Sequence, residues 1–172
     1  LTVVDDSGSS TETKEGYINV VDVEPGDPDF ALTMRADGPA FGYDLTFGFS
    51  PDATDGYDEM YDLYAPPPPP PPSFDAALMW SGDRYFTQIL SGSVDDLVEH
   101  EYSIAFAYDN DGIIELTWDN TNWSVLGSFI LQDAFGGVFV DIDMTAENSL
   151  TLDNPALTSL VLRITPTGVS QP

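Results

Sequence analysis

Large apolar residues alternate with polar or small ones in short runs, most clearly in Phe30-Ala-Leu-Thr-Met-Arg35 and Leu45-Thr-Phe-Gly-Phe49. Successive side chains of a strand point to opposite faces, so this period of two sends one face into a core and the other into water. Gly, Pro, Asp and Asn punctuate the runs, which is the spacing of an all-β domain. Strands are predicted over Tyr17 to Val23, Phe30 to Ala36, Tyr43 to Phe49, Ala76 to Trp80, Tyr85 to Leu90, Tyr102 to Tyr108, Ile113 to Trp118, Ser128 to Gln132, Val138 to Asp143 and Ser159 to Thr165, with a short one over Ser149 to Leu152. Asp109-Asn-Asp-Gly112 lies between two of these runs and predicts a hairpin that pairs them, because Asn, Asp and Gly tolerate the left-handed conformation of tight turns. Apolar repeats at three and four are absent, and Val94-Asp-Asp-Leu-Val-Glu-His100 alone predicts a helical turn. The expected fold is therefore all-β: a single immunoglobulin-like or jelly-roll β-sandwich over residues 17–172, preceded by an arm and linker over residues 1–16.

One stretch breaks the pattern. Residues 50–73 form an insert that begins with the aspartate-dense Pro51-Asp-Ala-Thr-Asp-Gly-Tyr-Asp-Glu-Met-Tyr-Asp62 and ends in the run Pro66 to Pro72. Proline lacks a backbone N–H and fixes φ, so the run predicts a polyproline II rod of about 3.1 Å per residue and about 22 Å in all. Such a rod could dock in an aromatic-lined groove, but basic flanking residues are absent, which favours a stiff strap that offers no hydrogen-bonding edge.

Charge narrows the partners. Four Lys plus Arg against thirty Asp plus Glu give a net charge of −26 in 172 residues, which repels phosphate backbones and anionic lipid surfaces. Nucleic acid is not an expected partner, nor is membrane insertion, since no apolar run is long enough to span a bilayer. With no cysteine, disulfides and thiolate chemistry are excluded. The start at Leu1 suits a mature, processed chain, and the expected location is extracellular, at a cell surface.

Asp52, Asp55, Asp58 and Asp62 are candidate calcium ligands, because crowded carboxylates repel one another unless a cation or solvent intervenes. Their spacing departs from the helix-loop-helix calcium loop, and Asp and Gly residues making successive turns explain the segment equally well. No organic cofactor is expected. His100, the one histidine, stands between Glu99 and Glu101, where an exposed acidic turn is a poor place for a nucleophile-activating base. Thirty acids guarantee carboxylate pairs at any distance, so none is singled out for glycoside hydrolysis, and enzyme activity is not expected.

Trp80, Trp118 and Trp123 are either sandwich core or a sugar-stacking platform, and Trp123, in the loop Asp119-Asn-Thr-Asn-Trp-Ser124, is the one expected to be exposed. Asn122-Trp-Ser is an N-glycan acceptor motif, and Ser9, Ser10 and Thr11 lie in a Ser/Thr cluster suited to O-glycans. Leu1, Thr2, Val3 and Val4 form a β-prone cassette tethered by a polar segment. It either closes its own sandwich or donates a strand to a neighbouring subunit.

From Phe30 through Thr165 the order of features resembles a β-sandwich module of secreted bacterial surface proteins. The matching pieces are Leu45-Thr-Phe-Gly-Phe49, Ala53-Thr-Asp-Gly-Tyr-Asp58 with the proline run after it, Ile114-Glu-Leu-Thr-Trp-Asp119, Phe129-Ile-Leu-Gln-Asp133 and Val140-Asp-Ile-Asp-Met144. The resemblance implies a β-sandwich at a bacterial surface and carries over no catalytic residue. Two functions are thus expected of such a chain. One is a structural subunit of an extracellular filament or surface assembly of identical copies, joined by the N-terminal arm. The alternative is a calcium-dependent carbohydrate-binding or adhesion module.

Overall fold

A computed structural model describes the backbone of residues 2–5 and 8–11 and all of residues 27–168. The expected strand Tyr17 to Val23 lies outside the described residues, as does Leu1. Thirteen strands are present among them: β1 (Thr2–Asp5), β2 (Gly8–Thr11), β3 (Phe30–Asp37), β4 (Gly42–Ser50), β5 (Leu63–Tyr64), β6 (Asp75–Trp80), β7 (Asp83–Ser91), β8 (His100–Ala107), β9 (Ile114–Trp118), β10 (Gly127–Asp133), β11 (Asp141–Asp143), β12 (Ser149–Leu152) and β13 (Ser159–Pro166). A 3₁₀ turn covers Val94–Asp96, within the predicted helical turn, and a four-residue helix α1 covers Trp123–Leu126. The protein is all-β, as the alternation predicts.

β3 to β13 make one continuous mixed sheet in the order β11-β10-β13-β8-β6-β7-β4-β3-β9-β12, with β5 added on β7. The sheet curls so that its wings face each other across one core. Phe30 of β3 stacks on Phe129 of β10 at 5.8 Å, Phe47 of β4 meets Tyr102 of β8 at 5.7 Å, and Phe49 stacks on His100 at 4.2 Å. The inward faces follow the period of two: Leu45, Phe47 and Phe49 on β4, Tyr102, Ile104 and Phe106 on β8, Leu160, Leu162 and Ile164 on β13. The wings are also joined at Gly48, whose carbonyl accepts the Tyr102 hydroxyl at 2.5 Å, while within its own wing a Cβ there would lie 2.0 Å from the carbonyl oxygen of Phe30 on the paired strand β3.

β6 turns the corner between the wings. Asp75 to Met79 pair with β8, while Leu78 to Trp80 pair with β7, so Leu78 and Met79 belong to both ladders. The far ends of the sheet are tied by the turn after β11, whose Met144 and Glu147 carbonyls accept the Trp118 indole N–H at 2.9 and 2.8 Å.

All strand pairs are antiparallel except β4 with β7. A parallel pair needs a long crossover, and the acidic loop, β5, the prolines and β6 together supply it. The prolines join β5 to β6 and are exposed apart from the partly covered Pro69. Arg84 anchors their start: its carbonyl accepts the Ala65 N–H at 2.9 Å, its Nε donates to the Pro66 carbonyl at 3.2 Å, and its guanidinium pairs with Asp75 at 2.6 Å.

Three expectations are corrected. The β8 and β9 segments do not pair: β8 lies between β13 and β6, and β9 between β3 and β12. Asp109 does make the turn, its carboxylate accepting the Asp111 and Gly112 N–H groups at 3.0 and 3.3 Å, but the turn carries the chain across to the other wing. Each strand has its own apolar face, and the two faces cover the core from opposite sides. The strand expected over Val138 to Asp143 shrinks to β11, because Val138 to Val140 belong to a loop wrapped around Asp133. The polar tether behind the N-terminal cassette is itself partly strand: β2 pairs back on β1, with Thr2 opposite Thr11 and Asp5 opposite Gly8.

Candidate interaction surfaces

The acidic loop is built from its own carboxylates. Asp58 accepts the Thr54 N–H at 2.6 Å and its hydroxyl at 3.0 Å, closing a turn of the Ala-Thr-Asp-Gly-Tyr-Asp segment. Asp62 accepts the Asp58 N–H at 2.9 Å and reaches β7 to accept the Ile89 N–H at 2.7 Å. Asp55 accepts the Ser91 N–H at 3.2 Å. Ile89 and Ser91 are two residues apart, so their N–H groups point to the same edge of β7. The two carboxylates thus stand where a neighbouring strand's carbonyls would be. Burial pushes the Asp62 carboxyl up from its usual value of 3.8, the Asp58 and Ile89 amides pull it back, and the Asp58 charge raises it further, leaving it raised.

Of the four candidate calcium ligands, Asp52 is exposed and contributes no side-chain hydrogen bond to the loop, while the other three are engaged as acceptors of N–H groups. Among the described residues no group of three or more His, Cys, Asp or Glu side chains converges as a metal cage.

Aromatic residues are distributed differently from the expectation. Trp123 is 2% exposed, with its ring centroid 4.8 Å from Phe129 and 6.4 Å from Phe47, so it is core and no sugar platform. Asn122 just before it is exposed at φ +66°, which turns the chain into α1 and leaves the glycan-acceptor motif accessible. Ser9, Ser10 and Thr11 lie in β2. Among the rings that face solvent, Tyr57 and Tyr64 stack on each other at 4.2 Å and are continued inward by Tyr85 at 5.0 Å from Tyr64. Sequence spacing could not bring Tyr57 and Tyr64 together, since their contact depends on the loop being folded back by Asp58 and Asp62.

His100 is buried rather than held in an exposed turn. Its ring stacks on Phe49 at an interplanar angle of 12°, its Nε2 has no hydrogen-bond partner, and a Cβ on Gly92 would lie 2.2 Å from its Cε1. Burial pushes the imidazole below its usual 6.5, against the raising charges of Asp96 and Asp55. The unfolded chain therefore takes up this proton more readily than the fold. The contribution of the neutral ring to stability is full above 6.5 and is lost as pH falls from 6.5 towards the native value. Urea titrations between pH 7.5 and about 5 are expected to show this slope in the wild type and a flatter one in His100→Phe, which keeps a ring on Phe49 but binds no proton.

The described cations are all paired. Arg35 meets Asp37 and Asp44 at 3.0 Å each, Arg163 meets Glu99 and Glu101 at 2.9 Å each, and Arg84 holds Asp75. The exposed arginine pairs contribute at most about 1 kcal/mol each, and their main effect is to leave the surface almost uniformly negative. Comparisons of the chain with protein-family models, with curated proteins and with solved structures found no match.

Proposed function

We propose that this chain is a non-catalytic structural subunit of an extracellular assembly, joined to identical copies by its N-terminal β-hairpin. The observation that carries the reading is the pairing of β1 and β2: their four-residue strands bond to each other and stand apart from the eleven-stranded sheet. A hairpin this short is marginal in water by itself and gains stability by adding to a third strand. The large sheet ends in short strands, β11 and β12, whose outer edges have no strand partner among the described residues. An edge of this kind accepts an added strand through backbone bonds, and a contact between two unlike surfaces propagates without closing. Assembly at a bacterial surface is the setting in which this would serve.

A charge of −26 on every copy opposes contact, so assembly should strengthen with ionic strength. Negative-stain electron microscopy and light scattering of the full chain, beside a chain lacking residues 1–11, test the reading. Polymers from the full chain and folded monomers from the shortened one are expected. Compact monomers from both would overturn it and leave the alternative, a carbohydrate-binding module, with the Tyr57–Tyr64 pair as its ring platform. Calcium on Asp52, Asp55, Asp58 and Asp62 belongs to that alternative, and hairpin addition does not require it.

A further inference from the structure

Between β10 and β11 the chain turns through Ala134-Phe-Gly-Gly-Val-Phe-Val140, seven residues without a charge. Phe135, Val138 and Phe139 are 69, 70 and 66% exposed, the most exposed large apolar side chains among the described residues. Single exposed apolar residues are ordinary on a protein surface, but three on one tip call for an explanation. The tip is preformed: Gly136 and Gly137 take φ of +79° and +85°, which suits glycine alone, and the two phenylalanine rings meet edge to face at 5.9 Å.

Beneath it lies Asp133, itself 2% exposed. Its carboxylate accepts the Phe135 N–H at 2.7 Å, the Phe139 N–H at 2.6 Å and the Val140 N–H at 2.8 Å, and its carbonyl accepts the Gly136 N–H at 3.1 Å. Four of the seven loop amides are therefore satisfied by one residue. Backbone donors turned inward and apolar side chains turned outward are what an apolar medium demands, since it offers an unpaired N–H no partner.

We infer that the Phe135–Phe139 tip is a shallow membrane-docking element that seats in the headgroup and acyl boundary of an electrically neutral, zwitterionic bilayer. Three side chains are far too few for a stable protein interface, which buries about 800 Å² on each partner. The tip also leaves few donors for a protein partner to read. A lipid boundary needs no shape complementarity, binds in proportion to whatever apolar area is offered, and takes apolar groups to a depth of about 5–10 Å. The charge of −26 selects neutral over anionic lipid. Docking of this kind needs no spanning segment, and no helix of the described residues is long and apolar enough to cross a membrane.

Flotation of the full chain with phosphatidylcholine vesicles, over a range of lipid concentrations, tests the inference beside the double variant Phe135→Ser/Phe139→Ser. Binding by the wild type, a loss of at least about tenfold in the double variant and weaker binding to vesicles containing phosphatidylglycerol are expected, because the two rings carry most of the apolar area. Thermal melts of both proteins should coincide, since the replaced rings are exposed. A wild type that stays unbound at the highest lipid concentration, or a double variant that floats equally well, would overturn it. So would self-association that the double variant loses without any lipid binding, which would seat the tip in another copy. A chain lacking residues 1–11 should still float, so failure of hairpin assembly and failure of lipid docking are separately visible.

Discussion

Asp62→Ala is expected to lower the free energy of unfolding by about 3–5 kcal/mol, since each hydrogen bond to a charged group contributes about 1.5–3 kcal/mol. The side chain is buried and holds two amides from different parts of the chain, one in its own loop and one on β7. Truncation leaves the Ile89 N–H without its acceptor and removes one of the loop's two carboxylate ties to β7, leaving that of Asp55 to Ser91. Asp62→Asn separates the two effects: its carbonyl can still accept one N–H, while its NH₂ faces the other donor, so a loss of about 1–3 kcal/mol is expected. Urea denaturation at pH 7 of the three proteins measures both. A loss under about 1 kcal/mol in the alanine variant would mean that the loop is held by something other than this carboxylate, because ordinary surface substitutions fall in that range.

Asp62 also marks where sequence reasoning reached its limit. Five acids within eleven residues suggested a cation, because unpaired carboxylates in proximity repel. The fold gives several of them backbone amides as partners, a use that no spacing rule along the chain reveals. Two of the amides lie on β7, which returns parallel to β4 after the crossover, and the sequence carries no signal for parallel pairing across such a distance. The positions of β3, β4, β8, β9, β10 and β13 were legible because each has one face in a single core, which imposes a period of two. The two-residue β5 was not, since Leu63 and Tyr64 are both exposed and show no alternation. Partners were less legible than positions. Asp109 to Gly112 encodes a change of direction, and only the need of the Tyr102 and Trp118 faces to cover opposite sides of the core decides what β8 and β9 pair with.

The apolar tip was misread for a related reason. Val138-Phe-Val140 has the composition of a strand, and alternation cannot show that an aspartate seven residues before Val140 will capture its amide. Burial pushes the Asp133 carboxyl up, and the amides of Val140, Phe139, Phe135 and Gly137 outweigh it, so the group ends below its usual 3.8. The contribution of this carboxylate to stability is therefore full above 3.8 and is lost as pH falls from 3.8 through the lowered native value.

Trp123→Ala is expected to cost about 3–5 kcal/mol, the range for emptying a buried aromatic site. The magnitude follows from position. Asn122 at φ +66° reverses the chain, one turn of α1 then directs Trp123 and Leu126 inward, and the indole fills the space between Phe47 on one wing and Phe129 on the other. Its removal opens a cavity where the wings meet, and a collapse there would have to move β4 towards β10. At roughly 2–4 °C per kcal/mol for a domain of this size, the melting temperature should fall by about 10 °C. Trp123→Phe, which keeps part of the ring, should lose less. A sugar-stacking tryptophan on the surface would behave in the opposite way, since its replacement changes stability by no more than about 0.5 kcal/mol and shows only in glycan binding. Calorimetry of the alanine variant thus separates a core tryptophan from a binding-site one without any ligand, and a melting temperature within a degree of the wild type would return Trp123 to the surface.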